Sequence, residues 1–297
     1  MVNFTDKPSL TLSALPAGLA EFFSALNIFL SITAAVGNAV ILIALNNVSS
    51  IHPPTKLFFR CLAVTDLCVG LILQPLLTIC LIFGIAKMNV HALHYVYRVG
   101  GTFAMVLCGV SVLTSTAISV DRLLALFLGL RYRHVVTLRR IRVVVTCSWL
   151  IGASLGFVWV LKTDVGRVEG AILFLLCLAI SIFCYTRIHL KLLQKQGQVQ
   201  NNVFQIQPNR GMASLNIARY KKTVSSIMWV QLALVACYVP WVIAAVLNAN
   251  GIYNDVAWLA TLTLLNLNSS LNPILYCWRI REVKQSVKGT IRQLYCF

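Results

Sequence analysis

Asn268-Ser269-Ser270-Leu271-Asn272-Pro273-Ile274-Leu275-Tyr276 lies inside an apolar run, Val256 to Cys277. About 20 helical residues cover the ~30 Å of hydrocarbon in a bilayer, so this run is long enough to cross one. Pro273 removes one backbone donor and bends the helix, and the amides beside it can re-satisfy the freed carbonyls. The polar side chains have no partner in lipid and must find one on neighbouring helices.

Outward from this stretch, six further apolar runs of the same kind fill the chain: Phe22 to Leu45, Leu57 to Phe83, Val99 to Leu126, Ile141 to Leu161, Val168 to Leu190 and Val224 to Leu247. With 297 residues, 59% of them hydrophobic, 11% charged and a mean hydropathy of +0.81, the composition excludes an ordinary soluble domain. The expected fold is all-α, a seven-transmembrane helix bundle. Residues 1–21 are an outer tail, 22–278 the bundle and 279–297 a surface helix and tail. The first 20 residues lack a basic start followed by a short apolar stretch, so span one is expected to insert the chain itself.

Lys and Arg near span ends stay on the cytoplasmic side. With the N-terminus outside, 20 of the 25 basic residues fall inside, leaving Lys7, Lys87, Arg98, Lys162 and Arg167 outside. The formal charge of +17 is therefore a matter of topology and needs no nucleic acid. It also gives an inner surface suited to anionic lipid headgroups or an acidic partner.

The ten cysteines lie almost wholly within the apolar runs, where Cys acts as a small buried hydrophobe. No structural disulfide and no zinc site is expected from their placement. Asn3-Phe4-Thr5 is either a glycosylation acceptor or an unused tripeptide, and Asn47-Val48-Ser49 falls on the inner side, where it stays unmodified. Gln194 to Arg210, rich in Gln and Asn, reads as a linker. After span seven, Ile280, Val283, Val287, Ile291 and Leu294 recur at helical steps opposite Arg281, Lys284, Lys288 and Arg292. Such a helix lies on the membrane surface, and Cys296 at its end is either an acylation site or a free thiol.

Ionisable groups at membrane depth are functional candidates by default. Asp66 stands about two turns inside span two, Asp121-Arg122 at the inner end of span three, and Ser111 three turns before Arg122. Taken in order, Gly37-Asn38, Leu62-Ala63-Val64-Thr65-Asp66, Asp121-Arg122-Leu123, Trp149, Pro240 and Asn272-Pro273-Ile274-Leu275-Tyr276 resemble the landmarks of a rhodopsin-like (class A) G-protein-coupled receptor. The resemblance covers essentially the whole chain.

The resemblance implies roles. Asp66, Ser111, Asn268 and Asn272 match positions that hold a sodium ion in resting relatives. Arg122 matches the residue that meets a heterotrimeric G protein when span six swings outward, with Asp121 its restraining neighbour. Tyr185 and Tyr276 match two tyrosines that approach each other in the active state, while Tyr238, Pro240 and Pro273 belong to the same switch. Ligand and G protein then strengthen each other's binding. The place implied is the plasma membrane.

Departures narrow the ligand. Tyr97 stands where a bridging cysteine is usual, Cys177 where a proline is common, Tyr238 where a Trp is usual and Leu234 where a Phe is usual. A short second outer loop without a bridge resembles, in part, the melanocortin, lysophospholipid, cannabinoid and adenosine group. Ala104 replaces the aspartate that pairs with amines, Asn266 the retinal-binding lysine, and Gly100-Gly101 the charged pair of lysophospholipid receptors. Thr102, Met105, Cys108, Tyr238, Trp241, Asn248, Leu262 and Asn266 are the expected pocket lining, which suits a weakly charged or lipid-like extracellular ligand. Dimerisation is not legible.

Two other functions compete. An intramembrane hydrolase needs a metal or nucleophile constellation at depth, and all five histidines fall in loops or at span ends. An ion-coupled transporter or channel could use Asp66, Ser111 and Asn272, yet it has no role for Asp121-Arg122 at the inner mouth. Finally, Tyr220 stands where many relatives carry a second acid that restrains Arg122. Appreciable basal activity is expected to follow.

Overall fold

The computed structural model describes residues 16–47, 51–86, 90–201, 232–252, 254–279 and 284–289. No strand occurs among them. Span one is α1 (Ala17–Asn47); span two is α2 (Pro53–Cys68), a π-helical turn (Val69–Leu73) and α3 (Gln74–Ile85). Span three is α4 (Val90–Leu128), followed by a 3₁₀ turn (Gly129–Arg131) and the short α5 (Tyr132–Val135). Spans four to seven are α6 (Leu138–Leu161), α7 (Thr163–Asn201), α8 (Leu232–Ala249) and α9 (Asp255–Arg279). A last helix, α10, covers 284–289.

Six of these helical spans are long and apolar enough to cross a membrane by composition. The seventh, α9, is diluted by Asn266, Asn268, Ser269, Ser270 and Asn272, all of them buried. It is the most polar span because its polar groups face protein. Large apolar side chains such as Phe29, Ile32, Leu150, Phe157, Ile182 and Phe183 are exposed on the outside of the bundle, as a hydrocarbon solvent requires.

Span three is the centre: α4 packs against α2, α3, α6 and α7. Its most apolar window is 56% buried, against 28% for spans four and five. Small residues permit this. A Cβ on Gly152 would lie 2.7 Å from Val110 Cγ2 and 2.9 Å from the Val106 carbonyl, and one on Gly156 would lie 2.6 Å from Val106 Cγ2. Close approach of backbones through glycine is the usual basis of helix packing where water does not drive it.

Several boundaries differ from those expected. Span one starts at Ala17, five residues before Phe22, because the Pro16 carbonyl accepts from the Leu19 and Ala20 amides and starts the helix inside the polar tail. Helix α7 continues through Gln194 to Asn201, the start of the expected linker, since Gln and Lys are good helix formers. The π turn in span two has no signal in the apolar pattern. Ser31 of span one donates to its Gly70 carbonyl at 2.7 Å, and a Cβ on Gly70 would lie 2.8 Å from the Ala35 backbone nitrogen. In α10, Val287 is buried with Ile41, Ala44 and Phe58, and Ser286 donates to the Ala44 carbonyl at 2.9 Å, while Lys284 and Lys288 are exposed. Asn3, Ser49, Tyr220, Cys296 and most of the expected apolar stripe of the tail helix lie outside the described residues.

Candidate functional site

Three groups of residues lie along span three, and each is positioned by a different force. At the basic end, Arg122 donates to Asp121 Oδ2 at 2.5 Å and to Thr55 Oγ1 at 2.7 Å. Thr55 itself donates to Asp121 Oδ2 at 3.2 Å, and the Tyr132 hydroxyl donates to Asp121 Oδ1 at 2.6 Å. The Asp121 side chain is 2% exposed and that of Arg122 19%. A nearly buried carboxylate thus has both oxygens satisfied, one by the arginine and one by the tyrosine, so the charge is paired and hydrogen-bonded as burial demands. Tyr132 is placed by the 3₁₀ turn, which Gly129 begins at φ +52°, a left-handed conformation that glycine takes without strain. Tyr185 accepts from Ser119 at 3.2 Å beside Leu126, Ile188 and Leu192. Tyr276 lies in helix α9, and its side chain is outside the described residues.

At mid-depth, Asn272 donates to Asp66 Oδ2 at 2.7 Å, and both residues are buried. Asn38 donates to the Ala34 carbonyl at 2.8 Å and to the Ser269 carbonyl at 3.0 Å, in the turn before Pro273. Gly37 makes room for the bend: a Cβ there would lie 3.0 Å from the Pro273 ring. Asp66 Oδ1, Ser111 Oγ, Asn268 Oδ1 and Asn272 Oδ1 are buried with no hydrogen-bond partner. Buried oxygens with no donor are costly unless a further group joins them. Hard oxygen ligands of this kind suit a small hard cation.

At the far end is a cavity with about 1000 Å³ of space between atoms, part of it open to solvent. Met105, Cys108, Tyr238, Trp241, Leu262 and Asn266 line it. Thr102 and Asn248 do not. Thr102 turns toward span four, donating to the Arg98 carbonyl at 2.9 Å, and a Cβ on Gly156 would lie 3.4 Å from its methyl. Span two contributes Leu73, Leu76, Leu77 and Cys80, and Trp159 and Trp258 supply large aromatic walls. The cavity lining includes no Asp, Glu, Lys, Arg or His.

Three residues of these groups are not among those expected from the sequence. Asn27 is fully buried in span one, donating to Thr263 at 3.1 Å and accepting from Asn266 at 3.2 Å. Its signal was available: Asn27 lies eleven residues, about three turns, before Asn38. Thr55 and Tyr132 gave none, as polar residues at a span end are ordinary.

At the same end as the cavity, the Tyr97 and Trp159 rings meet at 6.0 Å between centroids, and a Cβ on Gly101 would lie 2.3 Å from the Trp159 indole. Arg98 also donates to the Val160 carbonyl. Aromatic packing and a backbone contact therefore tie spans three and four together beside Tyr97. Among the described residues eight cysteines are free and no disulfide occurs.

Comparison with known proteins identifies what this arrangement is similar to. The family described as 7 transmembrane receptor (rhodopsin family) matches residues 37–171 and 168–276. The human (Homo sapiens) histamine H2 receptor is 27% identical over 302 residues, covering 91% of this chain and 78% of its own. The adenosine receptor A3 of Ovis aries is 25% identical over 280 residues, covering 87% and 86%. The melanocortin receptor 5 of Rattus norvegicus is 25% identical over 277 residues, covering 88% and 82%.

Proposed function

Since this chain belongs to the rhodopsin family of seven-transmembrane receptors, we propose that it takes a weakly charged or lipid-like extracellular ligand into the apolar cavity and signals by an outward movement of span six. It is a multi-pass membrane protein of the G-protein-coupled class, and not an enzyme. The N-terminus outside, in the plasma membrane, is the orientation that puts 20 of the 25 basic residues on the G-protein side.

One observation carries the reading. Span three joins an apolar cavity at one end to the Arg122 cluster at the other, and Tyr238 and Trp241 of span six line that cavity. A ligand that prefers a different placement of span six therefore shifts the population of states at the basic end, and by linkage a G protein bound there tightens the ligand. In this reading Arg122 leaves Asp121 and Thr55 to meet the G protein, and Tyr185 moves toward Tyr276.

The ligand is not a protonated amine. Ala104 lines the cavity where an amine receptor has an aspartate, and the lining includes no acid to pair with a buried cation. Likeness to the histamine H2 receptor thus supports the fold and signalling mode but not its ligand.

Asp66, Ser111, Asn268 and Asn272 suit a sodium ion, because each carries a buried oxygen without a hydrogen-bond partner. Bound there, the ion would add stability to the resting bundle alone. The purified wild type should then melt higher in sodium than in a bulky organic cation at equal ionic strength, and Asp66→Asn should remove the difference. Equal melting of the wild type in both salts would disprove the site.

The receptor reading is tested by guanine-nucleotide exchange on a panel of G proteins, in membranes holding wild type or Arg122→Ala, with and without a library of apolar ligands. Exchange by the wild type should exceed that of Arg122→Ala and rise with some ligand. A wild type that matches empty membranes on every G protein and with every ligand overturns the reading.

A further inference from the structure

The cavity is apolar almost throughout, yet two of its walls are indoles whose N–H groups have no acceptor. Trp159 is 2% exposed and Trp258 4%. Both line the cavity, and both Nε1 atoms are buried without a hydrogen-bond partner. An indole N–H can only donate, and buried Trp usually finds an acceptor because leaving the donor unmade costs free energy. Two other polar side chains of the lining have partners. Asn266 donates to Asn27, and the Tyr238 hydroxyl lies against the Cys108 thiol.

We propose that the ligand is an uncharged, largely apolar molecule whose carbonyl oxygen accepts a hydrogen bond from the indole N–H of Trp159, of Trp258, or of both. This rests on the reading of the cavity as the ligand site and deepens it by fixing the polarity of the contact. The molecule brings an acceptor to two N–H groups that can only donate.

Charge separates this class from its neighbours. A cation would find no acid in the lining to pair with. An anion would need a free cation. Arg167, which stacks over Trp258 with its guanidinium 5.8 Å from the ring centroid, is already paired with Asp164. A carboxylate buried against neutral donors and apolar wall would lose more hydration than two N–H groups restore. A neutral carbonyl loses little and satisfies the indoles.

The test uses the full-length protein in lipid nanodiscs and two skeletons, a straight C16 chain and a saturated steroid. Each carries in turn a neutral carbonyl (methyl ester or ketone), hydrogen, an amine or a carboxylate. Binding is read by displacement of an environment-sensitive apolar dye, in wild type, Trp159→Phe and Trp258→Phe. Phenylalanine keeps an aromatic ring in the wall and removes the donor with the rest of the indole, a loss of contact that the hydrocarbon compounds measure separately. In at least one skeleton the carbonyl compound should bind about tenfold more tightly than the hydrocarbon, and at least one Trp→Phe variant should lose that gain. Equal hydrocarbon binding in variant and wild type shows that the wall is intact.

The proposal is overturned if in both skeletons the carbonyl gives no gain, if the amine or carboxylate binds more tightly, or if both variants keep the full gain. A carboxylate or amine that binds and drives nucleotide exchange would leave the receptor reading standing while this inference falls. A carbonyl compound that binds through the indoles in a protein never able to drive exchange would do the reverse.

Discussion

The two ends of span three are held in opposite ways. At the basic end a single carboxylate, Asp121, collects Arg122, Thr55 and Tyr132 through directed hydrogen bonds. At the cavity end the same helix is held by shape, with the Trp159 indole seated where Gly101 has no side chain and the Tyr97 ring beside it. Directed bonds can be exchanged for other bonds with little change in volume, whereas a ring seated on a glycine cannot move without opening a void. The difference suits the proposed switch at one end and a fixed frame for the cavity at the other.

The largest effect should come from breaking the frame. Gly101→Leu would force side-chain atoms into the Trp159 ring, since even a Cβ would lie 2.3 Å away. Overpacking of this kind costs about 1–3 kcal/mol and more where backbone must shift, so the melting temperature should fall by about 5 °C or more. Adding Trp159→Ala to the same chain should recover part of the loss, because the clash is then gone. A Gly101→Leu protein as stable as wild type would show that the outer end is not held by shape.

Changes at the switch should be smaller in stability and larger in activity. Asp121→Asn removes the ion pair to Arg122 and is expected to raise basal nucleotide exchange about fivefold, the equivalent of ~1 kcal/mol. Tyr132→Phe removes one hydrogen bond to the same carboxylate and should raise it about twofold to threefold. Combining them should give less than the product, as both act through one group. Basal exchange unchanged in both variants would mean that the Asp121 cluster does not restrain Arg122.

How much of this could be read from the sequence follows the same division. Short motifs marked Asp66, Asn272 and Asp121-Arg122 as candidates, and in the structure Asn272 donates to Asp66 and Arg122 to Asp121, because each landmark fixes a place on one helix face. The apolar runs located all seven spans for the same reason: bilayer thickness sets their length. Contacts between helices were less legible. Thr102 and Asn248 were expected in the cavity and lie outside its lining, while Trp159 and Trp258 line it unannounced. Nothing in the pattern of one helix tells which way a neighbour rotates. The π turn at Val69–Leu73 also shifts the register of span two, bringing Leu73, Leu76 and Leu77 to the cavity.

A further reduction in effect is expected at Tyr220, where many relatives carry an acid that restrains the arginine. Arg219, Lys221 and Lys222 flank it in the sequence, and no Asp or Glu occurs between Glu169 and Asp255. Tyr220→Glu should lower basal exchange, by about twofold, since an exposed ion pair contributes only ~0.2–1 kcal/mol. Basal exchange equal to that of wild type would confine the restraint of Arg122 to the Asp121 cluster.

The smallest effect should be that of reduction. A receptor whose outer end is tied by a disulfide loses stability when the bond is cut, typically by ~2–4 kcal/mol. Here Tyr97 occupies the position of one partner, and no Cys lies between Leu161 and Gly170 to supply the other. Tyr97 and Trp159 meet as rings, Arg98 donates to the Val160 carbonyl, and Gly166 brings the following turn against the Trp159 backbone, where a Cβ would lie 2.9 Å from its Cα. Each of these contacts is indifferent to redox state. Dithiothreitol should therefore leave both the melting temperature and the binding of an apolar probe unchanged in wild type, while Trp159→Ala lowers the melting temperature under either condition. A wild type that melts several degrees lower after reduction would mean that a covalent bridge, and not the seating of Trp159, holds the outer end.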